Sequence, residues 1–140
     1  MNDLQIYLNF LTKHLTAKRL EHCQRVSDTG IWLAERLGIS IEPVRIAGLL
    51  HDVARDFSRE ELLAKADYYC LKLDSIEKKE PLLIHGKIGA FMIKEELGID
   101  DEEILQAVRR HITAGPQMSL LDKIIFAADF LEPGRQIPEA

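Results

Sequence analysis

Four histidines and two aspartates recur along this chain in the order His22, His51-Asp52, His85, His111, Asp129. Imidazole nitrogens and carboxylate oxygens in combination are the donors that hold a transition metal in an N/O shell. The adjacent pair carries the most weight. His51-Asp52 follows the apolar run Ile46-Ala47-Gly48-Leu49-Leu50, so a core-facing helix delivers two ionisable groups together at its end. Such groups beside a buried face need a partner, and a metal ion satisfies both. Asp129 raises the same question from within Ile124-Ile125-Phe126-Ala127-Ala128-Asp129-Phe130-Leu131. A carboxylate in an apolar helix requires a cation beside it, either a metal or an arginine.

The remaining members are weaker when taken singly. Arg19 and His22 stand three apart and share a helix face, with Cys23 and Val26 burying the adjoining stripe. His85 precedes Gly86-Lys87-Ile88-Gly89, whose glycines permit close approach of a helix or a ligand. His111 opens the loop Ile112-Thr113-Ala114-Gly115-Pro116 where a helix stops. Either of these histidines alone reads as a satisfied structural group. Asp122 reads as a carboxylate at a helix N-terminus, and His14 as a solvated residue at a helix C-terminus. Independent accidents would have to place all six metal-type donors in helical context, and that conjunction favours a site.

The bulk properties set limits. A chain of 140 residues predicts one domain, 1–140, with a core of its own. Hydrophobic content of 46% with 29% charged residues is ordinary for a soluble globular protein. A formal charge of −5 argues against a nucleic-acid binder, which would show a basic face. No apolar run approaches the roughly 20 residues of a membrane span, and Met1-Asn2-Asp3-Leu4-Gln5 lacks the features of a signal peptide. Cys23 and Cys70 lack C-x-x-C spacing and are expected to be small buried hydrophobes in a reducing cytoplasm.

The apolar period is helical throughout, with no sustained alternation of period two, which predicts an all-α bundle. Helices are expected over about Asp3 to His14, from after Thr16 to a stop at Gly38, and from Pro43 to about Ala54. Ser58-Arg59-Glu60-Glu61 reads as a capping box opening a helix to about Tyr69. A less regular stretch broken by Pro81 leads to a helix from His85 to Leu97, stopped by Gly98. Asp100 or Asp101 caps the next, which ends near His111. Ser119-Leu120-Leu121-Asp122 opens the last, to Phe130, and Glu132-Pro133-Gly134 terminates it.

The H…HD…H…H…D order resembles the HD-domain metal-dependent phosphohydrolases. The segments Arg19-Leu20-Glu21-His22, Leu49-Leu50-His51-Asp52-Val53-Ala54-Arg55-Asp56, His85-Gly86-Lys87-Ile88-Gly89-Ala90 and His111-Ile112-Thr113-Ala114-Gly115 are similar to the YqeK family within it. So is the block from Met118 to Arg135, which contains Leu121-Asp122-Lys123, Ala128-Asp129 and Glu132-Pro133-Gly134-Arg135. The resemblance runs from about Thr16 to Arg135. It differs where relatives commonly show lysine for Arg55 and H-T-T-G after the fourth histidine. Relatives also usually continue past E-P-x-R, and the expectation here is that those C-terminal helices are absent.

The resemblance implies a compact HD-domain helical bundle that hydrolyses diadenosine tetraphosphate symmetrically to two ADP. It implies a shell of His22, His51, Asp52 and Asp129 around iron, with manganese or another divalent metal as substitutes. Two imidazoles and two carboxylates leave room for water and a phosphate oxygen, which suits these metals better than a closed zinc site. Asp52 becomes the catalytic residue that orients or deprotonates the attacking water. Arg19, Arg55 and Arg135 offset polyphosphate charge, while His85 and His111 contact phosphate or bind a second metal. His22, Asp52, Asp129 and Ile112 also border the substrate, and the family's nucleotide runs along the segment matching Arg55, Asp56, Phe57 and Ser58. A cytoplasmic enzyme without nucleic-acid or membrane partners is implied, and a homodimer is compatible with it. Two other readings stay open: an HD phosphohydrolase acting on another nucleotide, and a metal- and nucleotide-binding module without turnover.

Overall fold

The computed structural model describes residues 2–113 and 115–133, and the described residues form helices and turns with no strand. In order they are α1 (Asp3–His14), α2 (Ala17–Leu37), α3 (Ile41–Leu50), α4 (Arg59–Tyr68), α5 (Ser75–Lys79), a 3₁₀ turn (Pro81–Ile84), α6 (His85–Leu97), α7 (Glu102–Arg110) and α8 (Leu120–Leu131). Local chemistry sets most of the boundaries. Thr16 caps α2 by accepting from the Arg19 amide, and Ser58 and Ser119 form capping boxes with Glu61 and Asp122. Asp101, rather than Asp100, caps α7. Gly38 and Gly98 close α2 and α6 at positive φ, a conformation that glycine adopts without steric cost.

Three expectations are corrected. α3 begins at Ile41, so Pro43 falls inside the first turn, where a missing N–H costs nothing. It ends at Leu50 instead of Ala54, and the chain continues through i to i−3 turns such as Arg55 N to Asp52 O at 2.9 Å. The stretch before Pro81 contains α5, opened by a capping box of Asp74 and Glu77. Cys70 is exposed rather than buried, because it turns the chain after α4 at φ 57°. Cys23 is buried as expected.

α2 forms the spine, packing on α3 along one side and on α8 along another, while α7 lies against α3, α6 and α8. Leu11, Cys23, Leu50, Ile88, Ile93, Leu105 and Ile125 fill one continuous core. Two glycines let the site-bearing helices close on one another. A Cβ on Gly86 would sit 2.9 Å from the carbonyl oxygens of both Val108 and Arg109, so α6 rests on α7 backbone. A Cβ on Gly48 would meet the Ser27 Cα at 2.8 Å, so α3 rests on α2 in the same way. Close packing here fixes where the histidines at the ends of α3 and α7 and at the start of α6 can point.

Candidate metal centre

His51, His85 and His111 are held by one device. Each follows a short helical run, and each places Nδ1 2.7 Å from the carbonyl oxygen three residues earlier: Gly48, Leu82 and Val108 respectively. Carbonyls in the last turn of an α-helix, such as those of Gly48 and Val108, lack an intrahelical partner and can take an imidazole, while the Leu82 carbonyl accepts from both the His85 amide and its ring. A carbonyl only accepts, so Nδ1 donates and the neutral ring turns its Nε2 lone pair into the protein. That is the form in which histidine binds a metal.

The Nε2 atoms converge on Asp52. Its Oδ1 lies 3.2 Å from His85 Nε2 and 3.1 Å from His111 Nε2. Its Oδ2 lies 3.5 Å from both His22 Nε2 and His51 Nε2, and 3.3 Å from Arg19 Nη1. Asp129 joins this second group, its Oδ1 3.1 Å from His22 Nε2 and 3.7 Å from His51 Nε2. Asp52 therefore stands between two clusters, one oxygen in each. All four histidines are buried, and His51 is fully so.

In the group around Asp52 Oδ2, two nitrogens lack an aligned partner. His22 Nε2 and His51 Nε2 are buried and make no aligned hydrogen bond, although carboxylate oxygens lie within 3.1–3.7 Å. Orphaned nitrogens beside carboxylates are what a bound cation would satisfy. His22, His51 and Asp129 offer ligand atoms within 4.8 Å of each other, and so do His51, Asp52 and His111. The residues present fit a metal.

The electrostatics agree. Burial alone would raise the Asp52 carboxyl, but His51, His111 and His85 override it and hold it well below the usual range. Asp129 is likewise held low against burial, through His22 and His51. His51 would be lowered by burial, yet Asp52 and Asp129 raise it to about 9. Without a metal, a proton takes the place of one among these groups. Burial pushes the Cys23 thiol well above its usual value, which keeps it out of the chemistry.

A cleft of about 390 Å³ opens over this cluster, lined by Arg19, Asp52, Arg55, His85, His111, Ile112, Phe126, Asp129 and Phe130. Arg19 also lies 4.0 Å from Asp56, whose other oxygen accepts from the Thr16 amide at 3.0 Å. Asp56 thus stands behind Arg19. Phe57 and Ser58 are not brought to the cleft. Phe57 packs edge-on to His14, with ring centroids 5.6 Å apart, and Ser58 is committed to capping α4. That contact also leaves His14 half-buried between Phe10 and Phe57 rather than solvated. Asp122 caps α8 and accepts from Gln106 at 2.7 Å, as befits a structural carboxylate. Arg135 lies outside the described residues.

Sequence reasoning missed Glu132, which it took only as a helix terminator. It is 2% exposed, with Oε1 3.5 Å from His22 Nδ1 and Oε2 2.6 Å from Arg25 Nε. Phe126 and Phe130, on α8 at the rim of the cleft, were also read only as part of an apolar helix.

A family model described as "HD domain" matches residues 19–134. Over 131 residues the chain is 39% identical to a protein of Halalkalibacterium halodurans named "Bis(5'-nucleosyl)-tetraphosphatase, symmetrical", covering 94% of this chain and 70% of that one. A Bacillus subtilis protein of the same name is 37% identical over 129 residues, covering 90% and 67% respectively. Among solved structures, one described as a predicted HD superfamily hydrolase involved in NAD metabolism from Clostridium acetobutylicum superposes with a TM-score of 0.92. The two share 36% identity, over 98% of this chain and 72% of that one.

Proposed function

Because the chain belongs to the HD-domain family, among the symmetrical bis(5'-nucleosyl)-tetraphosphatases, we propose that it hydrolyses diadenosine tetraphosphate to two molecules of ADP. The observation that carries this reading is the convergence of four buried imidazoles and two carboxylates beneath a cleft edged by Arg19 and Arg55. His22, His51, Asp52 and Asp129 would hold the metal, which we take to be iron. His85 and His111 would contact phosphate or, together with the other oxygen of Asp52, hold a second cation. When bound, the metal lowers the pKa of water and offsets phosphoryl charge.

The protein's own part is positioning. Asp52, whose carboxylate lies at the junction of the two clusters, orients the attacking water or takes its proton. Water oxygen bonds to one inner phosphorus while the bond from that phosphorus to the oxygen bridging the two inner phosphates breaks. One ADP leaves on that oxygen, and the other carries the oxygen from water. Arg19 and Arg55 spread positive charge along the phosphates, where Arg135 would add to it. Ile112, Phe126 and Phe130 give the cleft an apolar side for a nucleoside. A nucleotide extending past Arg55 would meet Asp56, Phe57 and Ser58.

A homodimer is compatible with this reading. No helix of the described residues is long and apolar enough to cross a membrane. Cytoplasmic location is part of the proposal, as is action as a single HD domain. The test is turnover of diadenosine tetraphosphate by metal-loaded protein, with products separated by chromatography. ADP alone is the expected product. AMP with ATP would overturn the symmetrical reading, and intact substrate would overturn the enzymatic one.

A further inference from the structure

His22 differs from the other three histidines in how it is held. It lies within α2, where main-chain carbonyls are committed to the helix's own hydrogen bonds, so no free carbonyl can fix its Nδ1. Its Nδ1 faces Glu132 Oε1 at 3.5 Å instead. A shift of about 0.5 Å brings that pair to hydrogen-bond length. The second Glu132 oxygen is gripped by Arg25 Nε at 2.6 Å, and Arg25 is one turn along α2 from His22. Asp129, one turn before Glu132 on α8, meets the opposite edge of the same imidazole, 3.1 Å from Nε2.

We propose that Glu132, braced by Arg25, is the positioning residue for His22. It accepts the Nδ1 proton and so keeps the Nε2 lone pair turned toward Asp52 and Asp129. The inference rests on His22 being a metal ligand in the proposed site. A carboxylate on the far nitrogen of a ligating imidazole fixes its tautomer and raises its basicity, and losing such a partner costs about 10- to 100-fold in metal affinity. Burial fits that role: a glutamate this enclosed needs both a cation and a donor, and Arg25 and His22 supply them.

The test uses Glu132→Leu and Glu132→Gln, each labelled with ¹⁵N-histidine. Nitrogen–proton correlation spectra of the chelator-stripped proteins report the His22 tautomer, and manganese(II) titrated against a chelator reports affinity. We expect the wild type to hold His22 as the Nδ1–H tautomer. Glu132→Leu should shift it toward Nε2–H and weaken manganese binding about 100-fold, with Glu132→Gln intermediate at about tenfold. An unchanged tautomer in a folded variant, or a changed tautomer with unchanged affinity, would overturn the proposal. If Glu132→Leu does not fold, the Glu132→Gln comparison decides by the same criteria. A wild-type protein that binds no manganese would overturn the metal-ligand role on which the inference stands. The tautomer readout would still show whether Glu132 orients the ring.

Discussion

His85 and His111 face each other through their Nε2 atoms across 3.1 Å, although both donate Nδ1 to a main-chain carbonyl. Two lone pairs at that distance repel, and Asp52 Oδ1 adds a third acceptor at 3.2 and 3.1 Å. A cation resolves the triangle. We expect metal titration of stripped wild-type protein to reach two equivalents, and the double variant His85→Gln, His111→Gln to reach one. A stoichiometry unchanged by the double variant would mean that these rings hold no metal.

The two arginines of the cleft should behave differently. Arg55 lines the cleft but makes no carboxylate ion pair among the described residues, whereas Arg19 Nη1 lies 3.3 Å from Asp52. Arg55→Ala should weaken ADP binding by about 1.5–3 kcal/mol and leave metal affinity alone. Arg19→Ala should weaken ADP binding and alter metal affinity too. Calorimetry with ADP and with metal separates the cases, and identical profiles for the two variants would contradict this division.

Much of the site was legible because its residues are awkward where they stand. Three of the histidines stand at helix ends, His22 stands inside α2 and Asp129 inside an apolar helix, so it was the recurrence of His22, His51, Asp52, His85, His111 and Asp129 together that grouped them. Glu132 could not be read this way. Beside Pro133 and Gly134 a glutamate looks like a solvated helix end, and only the docking of α8 on α2 buries it against Arg25 and His22. Cys70 escaped for a related reason, since a left-handed φ is a property of the turn and not of the residue type. The caps at Ser58 and Ser119 were readable, the start of α2 after Thr16 too, and the cap of α7 to within one residue, because each is decided within four residues.

In metal-stripped protein, His51 should make stability depend on pH. Its folded pKa of about 9 exceeds the ordinary value of 6.5, so the folded state holds the proton more tightly. That stabilisation is complete below 6.5 and is lost as pH rises through 9. His111 is lowered by burial, so between about pH 7 and 9 it is neutral in both states and does not contribute. Urea midpoints of the stripped protein should fall across that interval. In His51→Gln the decline should flatten, and an undiminished slope would assign it to another group.

Gly86→Ala tests the contact between α6 and α7. The added methyl would meet Val108 O at 2.9 Å, and that same carbonyl anchors His111 Nδ1. Overpacking of this kind costs about 1–3 kcal/mol. Thermal midpoints should drop, and uptake of the second metal equivalent should weaken more than the first. Equal loss at both would place the effect in the fold as a whole.

The ion pair of Arg25 with Glu132 spans 107 residues of sequence, and His22 and Asp129 meet beside it. Closing a loop of that length costs about 4 kcal/mol in chain entropy before any contact rewards it. The short helices between can form from local contacts, but the binding cradle exists only once an early helix and a late one have found each other. A refolding chain should therefore acquire its metal in the final kinetic phase, with the ion acting as a clasp across that loop. Metal uptake then becomes a clock for the completion of folding.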